Sequence, residues 1–500
     1  MTSERIDEGR VETRTKLGYA VGGAAEGAVA WAFNGFSFVV YTVIFGMPGT
    51  LVGAAVFLSI VLDAISDPLV GYLSDRWRSP LGRRHPFIYF ASVPMGLTVF
   101  CIYCPPAPLL AAGATEWSFF GYTATPEQWG LCAWLFVFAS LLKLFLTCYH
   151  LPHLALGSEL TEDYLERTRI FRYNTLFSFG GGAVLALSFY RVFFPEGPKP
   201  GLSTLHFAGS VAAFGAIVIF LTAHVTRDQI PRLPRAPENV PEFSVMEFIR
   251  ECGVVFQNRS YRMLFFGLLC LSPMTGVRET LNVNMSLYYW ELPPRLIGFL
   301  PLFSMASYFV AIAIVAMMNQ RLEKGGTMRV AVGLAALVAA GPIIARSLGY
   351  FPENGSPWLF PTLGLCVFLY YGCLALLTTS VYSAIGDVVD EQEIESGRRQ
   401  EGVFYAVRTF FAKLSNGVGH LLAGIAVDLI GFPPNAEVGA VPPQVIFELG
   451  LVEGPLAALP VIGAIYFYGK YRIDRARHRE IRDELALRRA AARAANVPAV

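Results

Sequence analysis

The sequence predicts an all-α integral membrane protein of twelve transmembrane helices in two six-helix bundles. Three observations predict it. Hydrophobic residues make up 54% of the 500, and the mean hydropathy is +0.48, too apolar for a soluble chain of this size. The apolar residues gather into runs of about 20, the length a helix needs to cross a bilayer. Those runs fall six on each side of a Pro-rich, charged segment near the middle of the chain.

In chain order the spans read as 17–45, 51–74, 86–104, 129–157, 172–194, 204–224, 261–289, 296–319, 328–349, 358–386, 402–431 and 445–469. A polar, charged segment precedes the first, so no cleavable signal peptide is expected. The second holds Asp63 and Asp67 within the apolar stretch Thr50 to Leu73. Four residues is just over one helical turn, so both carboxylates share a face. A carboxylate in hydrocarbon is kept with a partner, a water path or a job. No Lys or Arg accompanies the pair in its helix, which leaves a cation from outside or ion pairs to other helices. The following loop, "GYLSDRWRSPLGRR", sets Asp75 within reach of Arg83 or Arg84 and reads as a conformational latch. Arginines facing anionic lipid are the alternative.

The third span ends at Cys101 and Cys104, a CxxC with no second Cys or His pair beside it, read as packing residues. The fourth carries Lys143, Thr147, His150 and His153. The histidines are three apart without a metallohydrolase motif, so neither a structural metal nor an embedded enzyme is expected. Next comes "GSELTEDYLERTR", with Glu159 among its acids. The central segment, 225–260, opens with "RDQIPRLPRAPENVPEF", a linker by its proline content. It continues as "SVMEFIRECGVVFQN", apolar every three or four residues, which reads as an amphipathic interfacial helix. The chain therefore divides into a bundle at 1–224, a linker at 225–260, a second bundle at 261–470 and a basic tail at 471–500.

In the second half, "MTGVRETLNVNMSLYYW" places Arg278 and Glu279 well inside the seventh span. After the tenth, "GDVVDEQEIESGRR" repeats the order of "GSELTEDYLERTR": Gly, an acidic cluster that includes Asp387 and Asp390, then arginines opening the next helix. Such clusters latch two bundles together or are solvated loop charge. Glu26, Asp63, Asp67, Arg278, Glu279, Arg408 and Lys413 are charges at membrane depth, which suggests a polar cavity rather than lipid exposure.

Positive charge sets the orientation. With the N-terminus in the cytoplasm, 31 Lys and Arg fall in cytoplasmic segments and three, Arg191, Lys199 and Arg295, in outer loops. That asymmetry places both termini in the cytoplasm, which the net charge of +1 conceals. The tail from Lys470 to Arg493 reads as a helix near anionic lipid or a solvated topology anchor.

The stretch "DAISDPLVGYLSDRWRSPLGRRHPF" resembles the second-to-third helix region of the glycoside–pentoside–hexuronide:cation symporters, a branch of the major facilitator superfamily. "YHLPHLALGSELTEDYLERTRIFRY" resembles their fourth-to-fifth helix region, and "DVVDEQEIESGRRQEGVFYAVRTFFAKLSNGVG" their tenth-to-eleventh. The resemblance spans most of the chain and implies an alternating-access major facilitator fold with cation-coupled uptake of a sugar-like solute. From the family's melibiose permeases it implies a cation site of Asp63, Asp67 and Thr147, with Lys413 as a nearby counter-charge. Hard oxygen donors suit Na+ or Li+, and a proton can substitute. Ser66, counted with them at the cation site, stands where those permeases have an amide.

The solute side departs from the family pattern. The permeases carry carboxylates on helices one and four, where this chain has Gly27, with Glu26 beside it, and His150. A family tryptophan aligns with Thr378. Arg278 suits a carboxylate or phosphate, and related lysolipid symporters also carry a glutamate in the seventh helix. An anionic glycoside such as a uronide and a lysolipid or other amphiphile are therefore alternative solutes, and a non-transporting sensor on the same fold is the alternative to transport. Glu26, Trp31, His150, Arg278, Glu279 and Tyr371, with Asn34, Asn174 and Asn282, are the candidate lining. The expected partners are a small sugar or glycoside and membrane lipid, with no nucleic acid and no cofactor beyond the coupling Na+ or H+. The protein is expected to act as a monomer in the plasma (inner) membrane.

Overall fold

With no water in the bilayer to satisfy backbone N–H and C=O groups, the helix is the local solution for every apolar run. The computed structural model describes residues 11–110, 115–119, 121–197, 202–234, 246, 250, 253–397, 401–434 and 436–495. The proline-rich centre of the linker, part of the expected amphipathic segment, Lys199 and the arginines after Gly397 lie outside the described residues. The long helices are α1 (Thr13–Val39), α2 (Gly49–Arg76), α3 (His85–Tyr103), α4 (Pro126–Glu159), α5 (Tyr164–Ser188), α6 (Leu202–Thr226) and α7 (Arg259–Asn284). They continue with α8 (Leu300–Ser347), α9 (Leu359–Ser396), α10 (Glu401–Leu429), α11 (Pro443–Leu451), α12 (Val461–Gly469) and α13 (Arg475–Ala495).

Among the described residues, ten segments are long and apolar enough to cross a membrane. Two features separate that number from the expected twelve. α8 is two helices running on across Glu323, whose φ of 58° and ψ of 168° are not helical. α7 falls outside the ten because Arg262, Arg278 and Glu279 dilute its hydropathy.

Several helices outrun their apolar cores. α5 starts at Tyr164, eight residues before the expected start, because the Asp163 side chain accepts the Glu166 N–H at 2.6 Å and caps it. α9 runs ten residues past its expected end and stops where Gly397 turns left-handed at φ 68°. The acidic cluster expected as a loop, with Asp387 and Asp390, is therefore helical. A short antiparallel hairpin, β1 (Trp117–Phe119) with β2 (Tyr122–Ala124), interrupts the otherwise helical pattern. Its three-residue strands are too short to register as alternation in the sequence.

An internal repeat is visible in the backbone. α1 widens into a π-turn at Val40–Ile44 and α7 does so at Met285–Tyr289. Each turn closes with one long bond, Met47 N to the Tyr41 carbonyl at 2.9 Å and Leu292 N to the Ser286 carbonyl at 2.9 Å. A left-handed residue follows in both, Gly46 at φ 65° and Glu291 at φ 47°. Then Pro48 and Pro293 open the next helical segment. Glycine adopts this conformation freely, whereas at Glu291 it costs about 1–2 kcal/mol.

The chain forms two compact units: Met1–Phe243 with Gly276–Leu302 and Gly417–Val452, and Ser244–Thr275 with Phe303–Asn416 and Glu453–Val500. In the first, α1 and α5 meet backbone to backbone. A Cβ on Gly27 would run into the Ser178 carbonyl, and one on Gly181 into the Ala24 carbonyl, the close approach that small residues allow between membrane helices. In the second, Pro273 cannot donate to the Leu269 carbonyl, and Ser415 Oγ of α10 donates to it instead at 3.2 Å. The basic tail, expected on lipid or in solvent, packs on protein within this second unit. Ile481 and Leu485 of α13 are buried, His478 Nδ1 is 3.0 Å from Asp387, and Arg488 donates to the Ile394 carbonyl at 2.6 Å.

The glycine contact gives a paired prediction. Gly27→Val is expected to destabilise the protein by about 1–3 kcal/mol or more through overpacking. Gly180→Val, where nothing lies within 4 Å of the added carbon, is expected to be tolerated. Thermal unfolding in detergent compares the two.

Candidate cation and solute site

α2 and α4 bring Asp63, Asp67 and Thr147 together. Thr147 Oγ1 lies 3.1 Å from Asp63 Oδ1 and 2.9 Å from Asp67 Oδ1. Asp63 and Thr147 are 8% and 5% exposed. A hydroxyl carries one proton, so it donates to one carboxylate at a time while the other faces its lone pairs. Pro68 follows directly and lacks the N–H that would bond the Ala64 carbonyl, adding carbonyl oxygen to the same turn. Ser66 Oγ donates to the Asp63 carbonyl at 3.0 Å, which keeps its oxygen on the helix.

One turn further along α4, His150 Nδ1 is 2.9 Å from Glu26 Oε1. Gly27, the position aligned with the family carboxylate, is filled by the α5 backbone, so Glu26 is the residue that meets α4. His153 is fully buried, stacked on Tyr19 at 4.2 Å and on Tyr149 at 4.9 Å. Its Nε2 lies 3.0 Å from the Tyr19 carbonyl, a packing role. Trp31 sits half-buried with its ring edge-on to Phe36 at 4.3 Å.

On α7, Glu279 approaches His420 Nε2 of α10 at 4.0 Å, and Thr280 Oγ1 is 2.5 Å from His420 Nδ1. Arg278 beside them is half-buried, Asn282 exposed and Asn174 buried. Asn34 lines a small cavity with Thr280 and His420. Lys413 is half-buried and Tyr371 42% exposed, both in the second unit.

The two ends of the first unit are held by charge. Asp428, at the end of α10, caps α2: Gly49 N donates to Oδ1 at 2.7 Å and Thr50 N to Oδ2 at 2.8 Å. The Tyr122 hydroxyl of β2 donates to Oδ2 at 3.0 Å. Burial and the Asp428 carboxylate push that phenol up to about 12, so it remains a donor at neutral pH. The helices touch here, since a Cβ on Gly49 would lie 2.7 Å from the Gly424 carbonyl and one on Gly53 2.8 Å from that of His420. At the other end of α2, Arg84 joins Asp75 at 2.7 Å and Glu159 at 2.9 Å, and Arg83 joins Glu159 at 2.8 Å. The second unit repeats the device with Lys324, in the turn of α8, on Asp387 at 2.6 Å. Asp390 is half-buried on the same helix.

Sequence reasoning does not single out His420, Lys324 or the capping role of Asp428. Lys324 was open to inference from the repeat, because its turn corresponds to the Arg84 loop of the first half.

Residues 18–475 match the profile of the family described as MFS/sugar transport protein. The chain belongs to that family. It falls in the glycoside–pentoside–hexuronide:cation symporter branch that the three motifs resemble. An uncharacterized symporter of Synechocystis sp. is 26% identical over 97% of this chain and 99% of its own. A candidate glycoside/cation symporter of Escherichia coli is 22% identical over 96% of each chain. Among solved structures, the nucleoside transporter NupG superposes with a TM-score of 0.61 at 14% identity, covering 92% of this chain and 100% of its own. That likeness shows the all-helical transporter fold. The protein is a multi-pass membrane protein of a transport family.

Removing the cap tests the contact at Asp428. Asp428→Ala is expected to lower stability by about 0.5–2 kcal/mol and to speed hydrogen exchange at the Gly49 and Thr50 amides, while exchange within α6 stays unchanged.

Proposed function

We propose that this protein is a secondary active symporter that couples Na+ or H+ entry to uptake of a sugar or glycoside by alternating access. The observation that carries the reading is the single Thr147 hydroxyl set about 3 Å from both Asp63 and Asp67. Two carboxylates that close repel unless a cation or proton lies between them. Oxygen donors of this kind suit a hard cation, and Thr147 completes a three-oxygen face. Lys413 supplies compensating charge when the ion leaves, and Ser66 shapes the shell from behind. The glycoside reading draws on the named activity of the Escherichia coli relative. Glu26, Trp31, His150, Arg278, Glu279 and Tyr371 form the solute lining.

The reading takes the fold as twelve helices, counting α7 and the two helices merged in α8, as bundles 1–224 and 261–470 joined by the linker. Both termini are cytoplasmic, the membrane is the plasma (inner) membrane, and the monomer is the working unit. Asp75, Arg83, Arg84 and Glu159, with Asp387 and Asp390, then form the cytoplasmic gate, and Asp428 with α2 closes the outer end. A second reading, symport of a lysolipid, rests on Arg278 and Glu279 alone, whereas three motifs along the chain support the sugar-symporter reading.

Three outcomes are expected. In proteoliposomes, Asp63→Asn and Asp67→Asn should each abolish gradient-driven accumulation while leaving a folded protein. Accumulation equal to the parent in both would move the ion site elsewhere. Across a panel of neutral glycosides, uronides and lysophosphatidylcholine, thermal stabilisation should be greatest for a glycoside or uronide and should grow with Na+ or H+. Ion and solute should tighten each other by one shared factor, equivalent to about 1–3 kcal/mol. Solute affinity independent of every ion would exclude symport.

A further inference from the structure

His420 is enclosed in the membrane interior with 6% of its surface exposed. Its Nδ1 lies 2.5 Å from Thr280 Oγ1, and its Nε2 4.0 Å from Glu279 Oε2. Thr280 Oγ1 is also 2.8 Å from the Gly276 carbonyl, which can only accept. Thr280 has one proton to give, so two arrangements fit one set of heavy-atom positions. In one, Thr280 donates to Nδ1 and the imidazole, neutral, turns its Nε2–H toward Glu279. In the other, an added proton occupies Nδ1 and is donated to Thr280, whose own proton swings to Gly276. The imidazolium then faces the Glu279 carboxylate. Taking up the proton requires a hydroxyl rotation and no displacement of the helices.

The surroundings suit a group that gains and loses charge. Glu279 on α7 stands 4.0 Å from Nε2, and Lys143 on α4 lies over the ring of Phe33, a residue of the same wall, at 5.0 Å. Phe33, Asn34, Ser37 and Phe38 of α1 and Gly53 and Val56 of α2, which complete the wall, carry no titratable group. Beside them is a cavity of about 10 Å³, close to the least space that holds a water.

We propose that His420, with Thr280 and Glu279, is a proton-binding site separate from the Asp63–Asp67–Thr147 cluster, and that its occupancy makes solute uptake pH-dependent. The consequence for uptake rests on the symport reading; the binding of the proton does not.

The test is a titration of the full-length protein, labelled at its seven histidines, by NMR in detergent with KCl and no Na+. The resonance missing from His420→Gln should shift between two plateaus as the pH is lowered. Glu279→Gln should move its midpoint to lower pH by about one unit, and Lys143→Gln should move it higher, since one removes an attracting charge and the other a repelling one. A His420 resonance that does not titrate, or a midpoint that neither substitution moves, overturns the proposal. Should Glu279→Gln fail to fold, the parent titration and Lys143→Gln decide alone. Loss of coupled uptake in the Asp63 and Asp67 variants is read separately, so failure of the symport reading would leave this titration intact.

Discussion

One hydroxyl proton cannot serve two carboxylates at once. Thr147 lies within hydrogen-bonding distance of both Asp63 and Asp67, in a segment where water is scarce and charge is poorly screened. In the proposed site a cation or proton joins this arrangement, and the packing of the first unit holds α2 and α4 together around it. Pro68 frees a carbonyl in the same turn. The glycine contacts of α1 with α5 leave Glu26 beside His150 one turn away on α4. Lys143, Thr147 and His150, four and three residues apart on α4, thus share one face of that helix.

The two ends of α2 are secured by different chemistry. At one, a side-chain carboxylate from α10 satisfies orphan N–H groups at the helix start, in addition to glycine backbones in contact. At the other, two arginines converge on Glu159 and Asp75. Both contacts consist of a few charge-assisted hydrogen bonds, strong enough to hold a conformation and few enough to be exchanged for another set. With the proposed ion site at its middle and exchangeable contacts at both ends, α2 is suited to couple ion occupancy to the state of those ends within the proposed alternating-access cycle.

Much of this was legible in the sequence, for identifiable reasons. Hydropathy locates spans because the bilayer penalises polar groups, and Asp63 and Asp67 stand out because nothing in their helix neutralises them. The Arg84–Asp75 pair follows from short loop spacing. The rest depended on contacts far apart in the chain. Asp428 reads as a charge near a helix end, and only its approach to Gly49, 379 residues away, reveals a cap. His420 has no sequence neighbour that marks it; its partners lie on α7. The helical extensions of α5 and α9 were missed because hydropathy ends where the membrane does, whereas Asp163 and Gly397 decide where the helix does. The docking of the tail was hidden by its charge, which outweighs the few apolar residues, Ile481 and Leu485, that bury it.

The central claim is that Asp63, Asp67 and Thr147 take up a monovalent cation, metal or proton. The most direct measurement is an infrared difference spectrum of the purified protein, recorded on exchanging choline for Na+ and again on lowering the pH. The account predicts carboxylate bands that respond to at least one of these changes and are lost in both Asp63→Asn and Asp67→Asn. A spectrum without carboxylate bands under either change, or bands that survive in both variants, would contradict it.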